Sequence, residues 1–472
     1  MADHKLKGEE NVEDFLSHLY TDICTEVRWA DELPDIIDAT KEMVKRIVGE
    51  AFDQNMKELK SKGVTKIEVL DAGSMAEGTK VCYPDEFDFL ISFTFSPDVL
   101  ETFPTSNAMN FEFPKFTVSP RDPRFRQIVI DKNKKALLNT ISFMRKNFGW
   151  LRRALLKVSK NKPIPRGENR LHLDVKNNPK TANYGMRGPS FRLYKLLRWS
   201  SPKRYEDLLI SVDLVPTIVI YDENIADKLP FFIRGCSCDE HLIHKPDHFF
   251  LVPVRNAEQH LERLYFSDGI LRDDKDKFLE HNFMVSLSEY ERDVMKIWKC
   301  EKSVNHNWFI CYRLMKCFGD LDDNSDEIFL FNQGNLTVPS IISPERKESF
   351  TSYTWKTLVF GTARQETSKL TLKQCFDRLT AIFDKENLDK SKVLPVRSFW
   401  WPSEISEKIH LDMRGKQCYT PFVDRMIQLK TILNEIIYDS SYNYSYYKGK
   451  IKEICPKLLL YFNRAYDGKS KL

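Results

Sequence analysis

The chain has 472 residues, of which 42% are hydrophobic and 30% are charged, and its formal net charge is +4. This length and composition predict two domains or one bilobal unit, and no apolar run is long enough to predict a membrane-spanning helix. Ten scattered cysteines are typical of reduced cytosolic thiols, and the first residues, MADHKLKGEENVEDF, lack an apolar signal region, so we expect a cytoplasmic protein.

The first predicted element is a long helix over residues 34–61. Apolar residues recur there at helical spacing, and Pro34 suits the first turn of a helix. The lysines and arginines of this segment are interspersed with acids, so they indicate a binding surface only weakly.

The stretch GSMAEGTKVCYPDEFDF at residues 73–89 combines a Gly-Ser pair with two carboxylates. Glu86 and Asp88 are two residues apart in a predicted strand, so their side chains should share one face. Adjacent carboxylates repel each other unless a cation lies between them, which predicts bound Mg²⁺, with Mn²⁺ as the alternative ion. Backbone N–H groups and the hydroxyl at Gly73 and Ser74 could bind a phosphate.

Positive charge is concentrated in residues 131–204, where 20 Lys or Arg residues stand against three acids, a net charge of about +17. Apolar residues from Leu137 to Val158 predict a helix with one apolar face. The other face carries Lys134, Lys135, Arg145, Lys146, Arg152, Arg153 and Lys157. This stripe predicts a polyanion partner, although acids from elsewhere in the fold could also neutralise it. We predict exposed loops over residues 107–119 and 163–190.

A third carboxylate interrupts the apolar strand predicted over residues 208–220, LLISVDLVPTIVI. A lone acid such as Asp213 is costly in a buried strand unless it is paired or bound to metal. A Gly-Ser pair is usually a turn, and an acidic pair is usually a solvated strand edge. Three carboxylates on neighbouring strands can instead hold two Mg²⁺ ions, so the combination favours a nucleotidyltransferase site.

The predicted fold class is α/β, with a mixed α+β arrangement. Residues 1–250 should form a catalytic lobe with a mixed sheet and the long helix, and residues 251–472 a helical lobe, with the active site in the cleft between them. Helical patterns at 370–383 and 423–437 support the second assignment.

Two groups of Cys and His residues are candidate zinc sites. They are Cys300, His306, Cys311 and Cys317, and then Cys236, Cys238, His241, His244 and His248. Zinc is not expected at the first group, where Cys311 and Cys317 should pack on a helix, and the second matches no strong zinc pattern, so its metal binding stays open.

An ordered series of motifs resembles cyclic GMP–AMP synthase and the cGAS-like receptors of animals. Besides the Gly-Ser pair, E-F-D and S-V-D, the series comprises RGPS at 187–190, FLVP at 250–253, SLSEYERDVM at 286–295, RLMK at 313–316, and Ser352-Tyr353-x-x-Lys356-Thr357. The resemblance runs from about residue 33 to about residue 436 and implies a bilobal nucleotidyltransferase fold with a long spine helix.

The resemblance also implies roles for individual residues. Glu86, Asp88 and Asp213 match the metal-binding catalytic acids, Gly73 and Ser74 the turn that holds the donor triphosphate, and Lys316 a lysine that contacts nucleotide phosphate. Tyr353 matches a tyrosine that stacks on a base, with Ser352 beside it. The family has an arginine where this chain has Met284, so the base preference and the product stay open.

The implied function is a cyclic dinucleotide synthase of innate antiviral immunity that uses ATP and GTP or other nucleoside triphosphates. The chain departs from the family at its zinc module, and receptors of this kind include sensors of double-stranded RNA. We therefore expect double-stranded RNA in preference to double-stranded DNA as activator, with a homodimer on the nucleic acid as one arrangement. The alternatives are a catalytically silent nucleic-acid-binding or developmental protein and an RNA-extending nucleotidyltransferase.

Overall fold

The computed structural model describes residues 2–24, 29–81, 83–104, 115–120, 140–175, 184–187, 190–221, 247–253, 283–286, 288–319, 352–363, 368–381, 393–397, 405–410 and 420–455. The helices are α1 (Ala2–Cys24), α2 (Leu33–Phe52), α3 (Met56–Ser61), α4 (Gly73–Glu77), α5 (Thr140–Val158), α6 (Ser288–Lys299), α7 (His306–Gly319), α8 (Ser352–Ala363), α9 (Leu372–Thr380), α10 (Thr420–Tyr438) and α11 (Tyr444–Ile454).

The strands are β1 (Val64–Ala72), β2 (Glu86–Phe95), β3 (Leu100–Pro104), β4 (Lys115–Pro120), β5 (Ile164–Arg166), β6 (Asn169–Leu173), β7 (Tyr184–Arg187), β8 (Ser190–Ser200), β9 (Leu208–Tyr221), β10 (His248–Pro253), β11 (Phe283–Ser286), β12 (Val393–Arg397) and β13 (Ile405–His410). Strands β12 and β13 form a separate pair. No helix within the described ranges is both long enough and apolar enough to cross a lipid bilayer.

Strands β1 to β11 form one mixed sheet that curls around β9. β2 runs parallel to β9 along one edge, while β8 pairs with the first half of the other edge and β10 with its last four residues. The remaining pairs among the described strands are antiparallel. The predicted mixed α/β class is therefore confirmed, and β9 lies in the middle of the sheet, where both edges are paired.

Two large hydrophobic clusters lie against this sheet. The first joins α2, α3 and α5 to the apolar side chains of β2, β8 and β9. The second joins α1 and the helices α6 to α11 to residues of β9, β10 and β11. Helix α1 thus packs with the helices of the second half of the chain, and the division at residue 250 stays a prediction.

The helix predicted over residues 34–61 is present but divided. Its apolar stripe is buried from Ile36 to Phe52, as the helical spacing predicts. A 3₁₀ turn at Asp53–Asn55 then separates α2 from α3. The Asn55 side-chain amide donates a hydrogen bond of 2.7 Å to the carbonyl of Ala51, so a local side-chain bond competes with helix propagation.

The loops predicted over residues 107–119 and 163–190 are wrong in part, because β4 to β7 begin inside them. In the β5–β6 hairpin, Ile164 is buried between two prolines in the sequence, and Leu171 and Leu173 are buried although their neighbours are polar. Gly167, with φ +59°, forms the turn between the two strands. One buried face is enough to stabilise such short strands, even where the amino-acid composition of the segment is typical of a loop.

Candidate active site

The parallel pairing of β2 and β9 brings the predicted acids together. Asp88 is the direct register partner of Asp213, and Glu86 precedes Asp88 by two residues on the same strand face. Phe87 and Phe89 face the opposite side and are buried in the first hydrophobic cluster. These buried phenylalanines at alternate positions fix which face of β2 packs against the core. The carboxylates therefore share the opposite face of the strand.

Gly73 lies directly against the Asp88 carboxylate. Ala72, the last residue of β1, is the register partner of Asp88, and Gly73 follows with φ +67°. A Cβ atom at Gly73 would lie 1.9 Å from Asp88 Oδ2. Any larger residue would therefore collide with the carboxylate and also strain the backbone, so this turn requires glycine.

The acidic cluster carries electrostatic repulsion. Burial, together with the neighbouring carboxylates of Glu86 and Asp213, raises the pKa of Asp88 to about 7. Lys80, whose Nζ lies 3.0 Å from Asp85 Oδ1 and 3.8 Å from Glu86 Oε2, acts in the opposite direction. Additional positive charge at this position would therefore stabilise the fully ionised site.

Arg192 on β8 supplies part of that charge, and it is not among the site residues predicted from the sequence. Arg192 is the register partner of Asp213 in the antiparallel β8–β9 pair. Its Nη2 donates a hydrogen bond of 3.0 Å to Glu86 Oε1, and its Nε lies 3.6 Å from Asp213 Oδ1. The available signal was its position just after RGPS, in a strand that alternates polar and apolar residues next to the Asp213 strand.

The donor set of this site fits a hard divalent ion. Three carboxylates on two adjacent strands supply the oxygen ligands that Mg²⁺ and Mn²⁺ prefer, and their mutual repulsion favours a bound cation. Across the described part of the chain, however, no three His, Cys, Asp or Glu side chains are arranged to hold a metal ion in this conformation. Glu86 is instead turned toward Arg192 and Lys80.

The segment after Gly73 is fixed to the helices of the second cluster. The Ser74 carbonyl accepts hydrogen bonds of 3.0 Å from the backbone N–H groups of Thr79 and Lys80. Lys316 Nζ on α7 donates to the Thr79 carbonyl at 3.4 Å, and Arg313 Nη2 donates to the Lys80 carbonyl at 3.0 Å. Lys316 therefore lies beside the Gly-Ser segment, and Arg313 is a second contact that sequence reasoning did not assign.

A buried ionic triad makes a further connection between α4 and the helices. Lys356 Nζ on α8 donates to Glu77 Oε1 at 2.8 Å and to Glu291 Oε2 on α6 at 2.6 Å. Burial alone would raise the pKa of Glu77, but Lys356, together with Lys316 and Thr79, more than offsets this and holds that pKa below its usual value. Burial would lower the pKa of Lys356, and the two carboxylates raise it well above its ordinary value. Glu77 and Lys356 are therefore both charged at neutral pH.

Several predicted nucleotide contacts are only partly described. Ser352 and Tyr353 are the first residues of α8, and Met284 lies on β11, but their side chains lie outside the described part. Their contacts with a nucleotide stay predictions.

The predicted basic stripe of α5 is partly neutralised within the fold. Lys146 bonds Glu58 of α3, and Lys157 Nζ lies 2.7 Å from Glu50 Oε1 of α2. Hydrogen bonds from Lys146 and Lys62 lower the pKa of Glu58 to about 2. These ion pairs support, for these two lysines, the alternative that acids from elsewhere offset the stripe.

Other residues of the basic stripe are exposed and not neutralised by any described residue, or lie outside the described part of the chain. Arg152 and Arg153 are exposed, and neither forms an ion pair with a residue that the structure describes. Lys134 and Lys135 lie outside the described residues, as does the side chain of Arg145.

A cavity of about 220 Å³, bordered by Arg46, Lys162 and His172, lies between α2, the end of α5 and β6. The acids of the candidate active site, Glu86, Asp88 and Asp213, do not line this cavity.

Described members of the two cysteine and histidine groups have structural partners. Cys311 and Cys317 are fully buried in the second hydrophobic cluster, which confirms that they pack on a helix, and burial raises the pKa of the Cys311 thiol. Of the second group, residues 236–244 lie outside the described ranges. His248 is described, and its Nε2 lies 3.0 Å from Glu289 Oε2.

Comparisons with known proteins do not identify a family. No protein-family model matches this chain, and no curated protein matches it in a sequence search.

Proposed function

We propose that this chain is a nucleotidyltransferase of the cGAS-like receptor type. It joins two nucleoside triphosphates, ATP and GTP or others, into a cyclic dinucleotide when a nucleic-acid duplex is bound, and it acts as an innate immune sensor in the cytoplasm. The proposal includes a bilobal nucleotidyltransferase fold, with the sheet between the two hydrophobic clusters. One observation carries it: Asp88 and Asp213 are parallel register partners, with Glu86 and Gly73 beside them.

Glu86, Asp88 and Asp213 would hold the divalent ions. The chemistry that such ions supply is a lower pKa for the attacking hydroxyl and compensation of the charge on the triphosphate. A ribose hydroxyl of one nucleotide attacks the α-phosphorus of the other, a P–O bond forms, and the P–O bond to pyrophosphate breaks. The hydroxyl proton leaves near Asp213. The linear dinucleotide then reacts once more in the same way, so each cyclic product releases two pyrophosphates and two protons.

The other residues of the site bind and orient the substrates. Gly73 leaves room between the turn and Asp88, so the backbone N–H groups and the Ser74 hydroxyl can approach a triphosphate. Lys316 and Arg313 hold the Thr79–Lys80 backbone, and Lys356 holds Glu77, so the Gly73–Ser74 turn has a fixed position.

The decisive experiment is a product analysis. Purified protein is incubated with the four nucleoside triphosphates and Mg²⁺ or Mn²⁺, with duplex RNA, duplex DNA or no nucleic acid, and the products are identified by mass spectrometry. We expect a phosphatase-resistant cyclic dinucleotide that forms with duplex RNA. A ladder of extended RNA would instead indicate an RNA-extending transferase, and the absence of any product in all mixtures would contradict the enzymatic proposal.

The duplex would bind the exposed basic face of α5. Reversing the charge of Arg152 and Arg153 to Glu should weaken binding of duplex RNA by roughly tenfold or more, because exposed cations contact phosphates independently of sequence. The slope of log K against log salt should also fall by about two, one unit for each lost phosphate contact. Fluorescence anisotropy over a range of salt concentrations measures both quantities.

The matched control reverses Lys7 on α1 and Lys296 on α6 to Glu, which changes the net charge by the same amount. Its affinity and salt slope should stay close to those of the wild type. Equal losses in both double variants would show that net charge matters and that the face of α5 does not.

One observation favours a second candidate, a catalytically silent protein that binds duplexes. Arg192 already provides a positive charge between Glu86 and Asp213, so the acids are compatible with a stable fold in the absence of metal. Duplex binding without any nucleotide product in the experiment above would establish this alternative.

A further inference from the structure

Arg192 is placed so that one guanidinium group serves two carboxylates from different strands. Its Nη2 bonds Glu86 of β2, and its Nε faces Asp213 of β9, 3.6 Å away. The side chains of Arg192 and Asp213 are 18% and 19% exposed, respectively, so solvent screens this contact less than a surface ion pair. The planar fork of arginine suits two acceptors at once, which the ammonium group of a lysine does less well.

The local backbone of β8 supports this position. The β8–β9 register shifts between Leu193 and Leu197, directly after Arg192. Within this bulge Lys195 adopts φ +50°, and its backbone N–H donates a hydrogen bond of 3.1 Å to Ser211 Oγ. A bulge redirects the side chains of its strand, and a non-glycine residue at positive φ persists only where its surroundings hold it. The Arg192 guanidinium also lies over the Tyr194 ring, 5.5 Å from its centroid.

We propose that Arg192 is a built-in counterion of the acidic site: it occupies the place between Glu86 and Asp213 in the metal-free protein, and a divalent cation must displace it to bind. This inference rests on the proposed function, because it concerns the ion that the same acids would hold. Arg192 is a positioning residue in this account. It holds two of the three repelling carboxylates, Glu86 and Asp213, together without metal, and it lowers the affinity of the site for divalent ions, so that an empty site does not fill before the substrates arrive.

The test measures binding of Mn²⁺ alone to the nucleotide-free full-length protein, by electron paramagnetic resonance of the free ion. Arg192→Met should bind Mn²⁺ about tenfold more tightly than the wild type, because the competing cation is gone. In EDTA, the same variant should unfold at a lower temperature than the wild type, and Mn²⁺ should raise its unfolding temperature more.

Arg198→Met is the matched control, because Arg198 lies on the same strand but pairs with Asp174 and Asp207. Its Mn²⁺ affinity should equal that of the wild type. Arg192→Lys provides a second test if Arg192→Met does not fold. Lysine keeps the positive charge but contacts two carboxylates less well than a guanidinium group does. The Mn²⁺ affinity of Arg192→Lys should therefore lie above that of the wild type.

The outcomes separate this inference from the proposed function. Equal or weaker Mn²⁺ binding by the Arg192 variants overturns the inference. If the wild type nevertheless binds Mn²⁺ and Asp88→Asn removes that binding, the proposed metal site stands. If neither the wild type nor the Arg192 variants bind Mn²⁺, the inference fails, and the product analysis with nucleotides present decides the proposed function.

Discussion

Asp88→Asn is expected to reduce formation of the dinucleotide by roughly a thousandfold or more. The amide is close in size to the carboxylate but lacks its negative charge, so the site loses a ligand for the divalent ions. Metal ions contribute several kcal/mol to the stabilisation of such transition states, and about 1.4 kcal/mol corresponds to a tenfold change in rate. The initial rate of pyrophosphate release in the presence of duplex RNA measures the effect.

The variant should remain folded and should bind duplex RNA as the wild type does. In the metal-free fold, the pKa of Asp88 is raised to about 7 from its ordinary value of 3.8. The ionised carboxylate therefore opposes folding, and stability falls as the pH rises through that interval. A neutral amide removes this cost, so at pH 8 in EDTA Asp88→Asn should unfold at a temperature no lower than the wild type.

Asp174→Asn serves as the control, because Asp174 is an exposed acid that pairs with Arg198 away from the acidic site. Its rate should stay within about twofold of the wild type. Comparable activity of the two variants would remove Asp88 from the catalytic assignment.

Lys356→Met is expected to lower the free energy of unfolding by about 3–5 kcal/mol. The substitution leaves two buried carboxylates, Glu77 and Glu291, without the cation that they share, and an uncompensated buried charge is strongly destabilising. Urea denaturation followed by circular dichroism measures the change. The surface pair of Lys66 and Glu68 offers a control: solvent screens this exposed ion pair, so the free energy of unfolding of Lys66→Met should stay close to that of the wild type.

A triple variant distinguishes loss of charge compensation from loss of packing. When Glu77→Gln and Glu291→Gln are added to Lys356→Met, the carboxylate charges disappear, and most of the lost stability should return. If the triple variant is as unstable as Lys356→Met alone, the ionic account of the triad is wrong.

The main chain of the acidic site follows from simple patterns in the sequence. The alternation of Glu86 and Asp88 with buried phenylalanines sets the face to which the acids turn, and the apolar run around Asp213 predicts an interior strand. Both signals are local, because each depends on residues one or two positions apart. The amphipathic pattern of α5 is of the same kind, and its described part is a helix.

The cations of the site could not be predicted in this way. Arg192 meets Glu86 because of a sheet register set by distant strands, and Lys356 meets Glu77 through packing of α8 on α4 and α6. The position of Arg192 just after RGPS indicates the strand that carries it, but no residue near it in the sequence identifies Glu86 as its partner. The ion pairs of Lys146 and Lys157 illustrate the same limit, since the helical period predicts which face of α5 is basic but not which acids lie opposite it.

The parallel pairing of β2 with β9 also constrains how the protein folds. Asp88 and Asp213 become neighbours only after a long intervening stretch, which includes α5 and the β5–β8 segment, has closed into a loop. Closure of such a long loop is slow, and its entropic cost precedes the contacts that reward it. The acids should therefore assemble late on the folding pathway. Nascent or truncated chains that end before β9 would lack the complete acidic set.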